Sequence, residues 1–211
     1  MTQSAAARAR TEDRRAALIR AAYEVMARDG VHRVPLQQIA TEAGVSKGLL
    51  IYHFQTKDGL VLAALEWVLE ATEARIRSML AAADDPAHAI SNVVDAIWWK
   101  PEANRDFFRF YLDGVEHQAR SPEFDEFAGK GRSIINSFYR EVIVAGVGAG
   151  VLHVEDPTRA AIQMRAVIEG MFLQWLQTGD WRANHGHFKE MCREALLETL
   201  GAGAPGPARG R

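Results

Sequence analysis

The side chains best suited to specific chemistry lie between Leu36 and Lys57, in two short helical patterns separated by a glycine. Ser46 can cap a helix or meet a phosphate, and the free N–H groups at a helix start favour an anion in either case. Lys47 can reach guanine acceptors or backbone phosphate. Glycine costs a helix about 1 kcal/mol relative to alanine, so Gly48 indicates that the helix backbone approaches something closely. These residue types indicate recognition of a polyanion.

Two short helices must position these side chains. Pro35 opens the first, Ser46 caps the second, which ends near Phe54, and Gly44 lies in the tight turn between them. Four apolar residues are spaced to pack both helices on a preceding one: Ile39, Ala40, Val45 and Leu50. Such a unit presents the start of its second helix to a major groove of DNA. The predicted DNA contacts are Gln37, Ser46, Lys47, Gly48, Leu49, Tyr52, His53 and Lys57.

The segment resembles the DNA-binding domain of the tetracycline-repressor (TetR) family of bacterial regulators. The resemblance covers roughly residues 14–62 and is carried by Ile39-Ala40, by the run Ala43 to Gly48, by Tyr52-His53-Phe54 and by Lys57. In that family a divergent all-helical domain follows, which binds an inducer and dimerises. The resemblance therefore implies the same organisation for this chain.

Three residues depart from the family pattern. Many members carry threonine or serine at the position of Val34, where it caps the second helix and touches phosphate, and valine can do neither. Leu49 replaces a common threonine, and Ile51 replaces a common aromatic residue. Because Leu49 can meet a thymine methyl, we expect a base preference different from that of relatives.

Helical periodicity extends over almost the whole chain, since apolar residues recur three and four apart without sustained alternation. The predicted fold is all-α with about nine helices: an N-terminal three-helix helix-turn-helix domain, then a helical ligand-binding and dimerisation domain. We expect a disordered basic arm over residues 1–10, the DNA-binding domain over 11–56, the second domain over 57–200 and a disordered tail over 201–211. The predicted helices cover approximately 11–28, 35–43, 46–54, 56–82, 86–99, 102–119, 122–145, 157–178 and 185–200, with a loop or frayed helix end over 146–156.

The charge distribution is uneven along the chain. The net charge is −2, yet residues 1–60 carry nine Lys/Arg against six Asp/Glu, a balance of +3, and the rest has a balance of −5. The potential that attracts polyanions is thus confined to the N-terminal quarter. The sequence shows no membrane-spanning run and no secretory segment in its first twenty residues, so we expect a cytoplasmic protein.

No catalytic signature is present: we find no phosphate loop, no His-Glu metal motif and no nucleophile beside a base. His185 and His187 lack a third ligand and are expected at the surface, so no metal or cofactor is predicted. The single Cys192 is typical of a small buried hydrophobe. These observations exclude enzyme classes rather than binding functions.

Dimerisation is expected because a palindromic operator needs two recognition helices. Apolar residues occupy more than one face of the predicted helix 157–178, so one face needs a partner beyond its own core. With the last helix, this face is expected to form a four-helix interface between two chains. The predicted interface residues are Ile168, Met171, Phe172, Trp175, Phe188, Met191 and Ala195.

The middle of the chain is rich in aromatic residues, which is typical of an apolar small-molecule site. The predicted ligand contacts are Trp98, Trp99, Phe107, Tyr111, Phe138, Phe172 and Trp175. Five polar residues on the same helices can orient a ligand or form salt bridges: Arg105, Asp113, Glu116, His117 and Glu169. A hydrophobic or aromatic effector is the first hypothesis, and a quaternary or polyamine cation held by aromatic faces is the alternative.

The function that these patterns indicate is a transcriptional repressor, released from a palindromic operator by a small-molecule effector bound in the second domain. We expect the long helix from Lys57 to Ala82 to couple the two domains by a population shift. The alternative is a helical ligand-binding or adaptor dimer that does not bind DNA. A steep salt dependence of binding to duplex DNA separates the two.

Overall fold

The computed structural model describes residues 2–81, 88–118 and 122–202, and the nine elements of that part of the chain are all α-helices, which confirms the all-α prediction. The helices are α1 (Thr2–Asp29), α2 (Leu36–Glu42), α3 (Lys47–Phe54), α4 (Lys57–Ala81), α5 (Ala89–Ile97), α6 (Pro101–Gln118), α7 (Pro122–Gly148), α8 (Pro157–Leu176) and α9 (Trp181–Thr199). No helix in these ranges is long and apolar enough to cross a bilayer.

Side-chain caps fix several of the helix starts. The Ser46 hydroxyl accepts a hydrogen bond from the Leu49 N–H at 3.3 Å, and the Thr56 hydroxyl accepts one from the Gly59 N–H at 2.9 Å. Asp156 caps α8, and Asp180 caps α9 through the Ala183 N–H at 3.1 Å. These caps satisfy N–H groups that have no partner within their own helix.

The starts of two helices, α1 and α9, differ from the sequence prediction. Helix α1 begins at Thr2, so residues 2–10 continue the helix that was expected to begin near residue 11; the alanine-rich start has high helix propensity and nothing in it ends a helix. Helix α9 begins four residues early because Asp180 caps it. Of the tail predicted over 201–211, residues 203–211 lie outside the described part of the chain.

The chain divides into two compact units. The first combines Met1–Glu70 with Asp106–Ala128, and the second combines Ala71–Arg105 with Gly129–Arg211. The first unit therefore extends beyond the DNA-binding domain predicted over 11–56. Burial gives the reason: the core of the first unit also includes Leu60, Val61, Ala64, Leu65 and Val68 of α4 and Phe110 of α6. Helices α1, α2 and α3 bury too little apolar surface by themselves, and these side chains complete the core.

The second unit is built on the packing of α8 against α9, with α5 against α9. Its buried side chains include Val93, Val94, Met164, Phe172, Trp175 and Leu196. Cys192 is fully buried, and burial raises the pKa of its thiol to about 11, as expected for an inert cysteine. The Asp95 carboxylate joins α5 to α9 by ion pairs with Lys189 at 2.7 Å and Arg193 at 2.8 Å.

Candidate nucleic-acid interface

Helix α3 is anchored by one side to the core of the first unit. Leu50 and Phe54 are buried there, and the Arg15 guanidinium lies 5.2 Å from the centre of the Phe54 ring. Gly44 adopts a φ of +66° in the turn before α3, a conformation that glycine reaches without strain. The Val45 N–H then donates to the Ala40 carbonyl at 2.9 Å. The fold thus fixes which side of α3 faces outward.

An ion-pair network ties the end of α1 to α2. The Arg28 guanidinium contacts Asp29 at 2.8 Å and Glu42 at 2.7 Å. The Gln38 amide also donates to Asp29 at 2.8 Å. The hydrogen bonds from Arg28 hold the pKa of both carboxyls below its usual range. The helix that packs under α3 is therefore oriented by side chains as well as by core contacts.

The outward side of α3 presents the residues that the sequence analysis placed on it, with two exceptions. Ser46, Lys47 and Gly48 are exposed, and Tyr52 is 78% exposed. Leu49 is half-buried because it packs against the core of the first unit. His53 is also half-buried, with its ring against those of Tyr52 and Phe54.

The other two predicted DNA contacts lie outside α3. Gln37 is exposed on α2. Lys57 is half-buried at the start of α4, and desolvation lowers the pKa of its ammonium group, opposed by the charge of Asp58. Val34 is buried, and no side chain caps α2 at Pro35, as the departure from the family pattern implied.

Two glycines near α3 have different structural roles. A Cβ on Gly59 would lie 2.4 Å from the Phe54 carbonyl oxygen, so the turn into α4 requires glycine. Gly59 was not among the residues predicted from the sequence, although its position three residues after the Thr56 cap was a usable signal. A Cβ on Gly48 would meet only Ser46 Oγ, at 3.8 Å, which is an ordinary contact. The fold therefore does not require glycine at position 48.

The corner after α1 is held by α6 within the first unit. The Val31 N–H donates to the Asp113 carboxylate at 2.9 Å, next to Gly30 with its φ of +92°. His32 and Glu116 lie 3.6 Å apart at the same corner. Asp113 was predicted to orient a ligand or form a salt bridge; in the structure it instead binds backbone between α1 and α2.

The second unit contains a stacked aromatic cluster. The rings of Trp98 and Phe172 lie parallel with centroids 3.9 Å apart, and Trp175 meets the Trp98 ring edge-on at 5.7 Å. The Trp175 indole N–H donates to the Trp181 carbonyl at 2.6 Å. The His185 ring lies 5.3 Å from that of Trp98. Three of the seven predicted ligand residues therefore contact one another.

The other four predicted ligand residues lie elsewhere. Phe107 and Tyr111 stack on each other at 6.1 Å and belong to the first unit. Trp99 is exposed between the cationic groups of Arg75 at 4.7 Å and Lys100 at 4.8 Å. Phe138 is buried beside Tyr139, with the Arg77 guanidinium 5.1 Å from its ring.

A buried polar pair adjoins the aromatic cluster, and the prediction for one member was wrong. His185, expected at the surface, is buried with Asn104, whereas His187 is exposed. The Asn104 amide donates to the Ile97 carbonyl at 2.7 Å, so its oxygen accepts from His185 Nε2 at 2.9 Å. Burial lowers the pKa of His185, which favours the neutral ring. Within the described residues, no group of three metal-ligating side chains converges.

Burial also changes which residues can form the predicted dimer interface. Ile168, Phe172 and Trp175 are buried inside their own chain, on the inner side of α8. The remaining four are half-buried: Met171, Phe188, Met191 and Ala195. The outward side of α8 instead carries Ile162, 55% exposed, and Leu173, 43% exposed. Periodicity alone indicated two apolar faces on this helix, and the structure shows which one is outward.

Comparison with known protein families gives two matches along the chain. Residues 18–64 match the model described as bacterial regulatory proteins of the tetR family. Residues 86–201 match the model for the C-terminal part of BetI-type transcriptional repressors. Together the two matches cover both the helix-turn-helix segment and most of the second predicted domain.

Curated relatives include the transcriptional regulator BetI of Stenotrophomonas maltophilia, 32% identical over 52% of this chain and 57% of that protein. The regulator RutR of Escherichia coli O157:H7 is 32% identical over 67% of this chain and 65% of that protein. The chain thus spans less than two thirds of the length of these two relatives.

Similar folds occur among solved structures. A putative transcriptional regulator from Saccharomonospora viridis, in complex with choline, superposes with a TM-score of 0.76 at 22% identity, covering 89% of this chain and 96% of that one. A putative TetR-family regulator from Rhodococcus sp. gives a TM-score of 0.76 at 21% identity, covering 90% and 99%. At these identities the likeness shows the shared fold.

Proposed function

The chain belongs to the TetR family of bacterial regulators, and from that premise we propose that it is a transcriptional repressor that binds a palindromic operator as a homodimer. The observation that carries the proposal is the orientation of α3. Its inner side is buried through Leu50 and Phe54, while Lys47, Gly48 and Tyr52 are exposed on the outside. A helix presented in this way fits the major groove.

The chemistry of the outward residues supports duplex DNA as the partner. Lys47 and the Tyr52 hydroxyl can bind phosphate or base edges, and Gly48 permits close approach of the backbone. The +3 balance of residues 1–60 adds a favourable field for a polyanion. A regulator of this kind acts in the cytoplasm, where the bacterial chromosome lies.

The outward side of α8 is the proposed dimer surface, because Ile162 and Leu173 leave apolar area exposed there. Two such surfaces would bury each other across a two-fold axis. We expect Leu173→Glu to produce monomers in sedimentation velocity, because it places a charge in an apolar contact. Val144→Glu is the matched control, since Val144 is equally exposed, at 44%, on α7. Loss of the dimer in the control alone would refute the assignment.

The effector is proposed to be a small molecule with an apolar body, bound at the aromatic cluster of the second unit. The guanidinium groups of Arg182 and Arg105 lie 4.2 Å and 4.8 Å from the centre of the Trp181 ring. Aromatic faces in this unit therefore support a cation as well as an apolar group. The choline-bound structural relative favours a quaternary ammonium effector over a neutral aromatic one.

Coupling between effector and DNA is proposed to use α6 together with α4, since both helices contribute to both units. Within α6, Asn104 binds the buried His185 of the second unit, and Asp113 binds the Val31 N–H at the end of α1. One continuous helix thus carries both contacts. A displacement at its N-terminal end would reach the corner that orients α2.

The proposal is tested by titrating choline into the complex of the full-length protein with a duplex selected from a random-sequence pool. We expect DNA affinity to fall about five- to 150-fold at saturation, the usual range of coupling between two sites. The neutral isostere 3,3-dimethylbutan-1-ol is the control for charge. Equal release by both compounds would favour a neutral effector, and no release by either compound would reject a choline-like effector.

A further inference from the structure

Helix α3 has an unusual set of side chains for a helix proposed to enter a major groove. Residues 47–54 contain no Arg, Asn, Gln, Asp or Glu, so Lys47 is the one side chain there that can bind a base edge by paired hydrogen bonds. The Ser46 hydroxyl already accepts from the Leu49 N–H. The hydrogen-bonding side chains left on α3 are those of Lys47, Tyr52 and His53, and the last is half-buried. Apart from Lys47, hydrogen bonds therefore supply little base discrimination on this helix.

An apolar side chain occupies the outward part of α3 instead. Ile51 is 44% exposed, although burial would stabilise a side chain of this kind by about 1.5–3 kcal/mol. It lies one residue after the buried Leu50 and three residues after Gly48, so it is a neighbour of Gly48 on the helix surface. Leu49, the other apolar candidate, packs against the core of its own unit.

Gly48 has no side chain beside Ile51, so the surface of α3 has room for a base pair next to the Ile51 side chain. A Cβ at Gly48 would have open space around it apart from Ser46 Oγ at 3.8 Å, so its absence leaves a gap beside Ile51. A base pair can fill that gap, and the branched side chain then lies against its edge. The thymine methyl is the apolar group that a base pair presents in the major groove.

We propose that Ile51 is a specificity-determining residue that reads a thymine methyl in each half of the operator. The inference rests on the proposed DNA-binding function. Lys47 and Tyr52 then fix the helix on the phosphates, and sequence preference comes from apolar contact at Ile51 next to Gly48.

The test uses duplexes selected by the full-length protein from a random-sequence pool, with each thymine replaced in turn by deoxyuridine. This change removes one methyl group and keeps the base pairing. At one thymine position we expect DNA affinity to fall about fourfold, because that is the effect of losing one buried methyl-sized group. When this position is changed in both half-sites, affinity should fall roughly fifteenfold. In Ile51→Ala the thymine and deoxyuridine duplexes should bind equally.

Controls separate the possible failures. Ile51→Ala should keep its urea midpoint because the site is exposed, and Val144→Ala, equally exposed on α7, should retain the preference for thymine. Equal binding of both bases by the unmodified protein, or a preference that persists in Ile51→Ala, would overturn the inference alone. Failure to bind any duplex would overturn the proposed function and the inference with it.

Discussion

Replacing Gly48 by glutamate is expected to abolish specific DNA binding while the protein stays folded. The position is exposed on α3, and a side chain there meets no close atom, so the fold tolerates the change. On DNA, the added carboxylate would face phosphates across a closely packed surface, and such like-charge contacts cost several kcal/mol. Affinity for a selected duplex should fall about 100-fold or more, as measured by fluorescence anisotropy.

Two further variants isolate the cause of that loss. Gly48→Ala should raise the free energy of unfolding by about 0.5–1 kcal/mol because alanine favours helix, and yet weaken DNA binding. Gly148→Glu adds the same charge at another glycine with open surroundings, at the end of α7, and should leave DNA binding nearly unchanged. Full affinity in Gly48→Glu would show that α3 does not approach DNA as proposed.

Replacing Phe54 by alanine is expected to cost about 3–5 kcal/mol of unfolding free energy, the usual loss for a buried phenylalanine. Phe54 is 7% exposed in the core of the first unit, where it anchors the end of α3. The neighbouring Tyr52 is 78% exposed, so Tyr52→Ala should change stability by less than about 0.5 kcal/mol and weaken DNA binding instead.

Urea denaturation followed by circular dichroism gives the stability of both variants, and anisotropy gives their DNA affinity. The two substitutions lie on one helix two residues apart, so opposite outcomes would separate anchoring from recognition. A large loss of stability in Tyr52→Ala, or none in Phe54→Ala, would contradict the assignment of the inner and outer sides of α3.

Local signals in the sequence predicted the helix-turn-helix well. The Ser46 cap lies where the sequence placed it, and so does the glycine turn at Gly44. Each of these features depends on interactions within a few residues. Local spacing therefore carried enough information to locate α3 and most of its outward residues.

Features that depend on distant contacts were not predictable in the same way. The first unit extends to Val68 and Phe110 because they complete a core whose other members are far away in sequence. His185 is buried because Asn104, 81 residues earlier, supplies its hydrogen-bond partner. A helical period shows that α8 has two apolar faces and cannot show that Trp175 faces inward while Leu173 faces outward.

The most direct measurement is the affinity of the full-length protein for a selected palindromic duplex and for a random duplex, across a range of salt concentrations. We expect the selected duplex to bind far more tightly, with at least two chains at saturation, and log K to fall steeply with log salt as phosphates are neutralised. No binding to either duplex at low ionic strength, by a protein shown to be folded, would contradict the central claim that α3 recognises DNA.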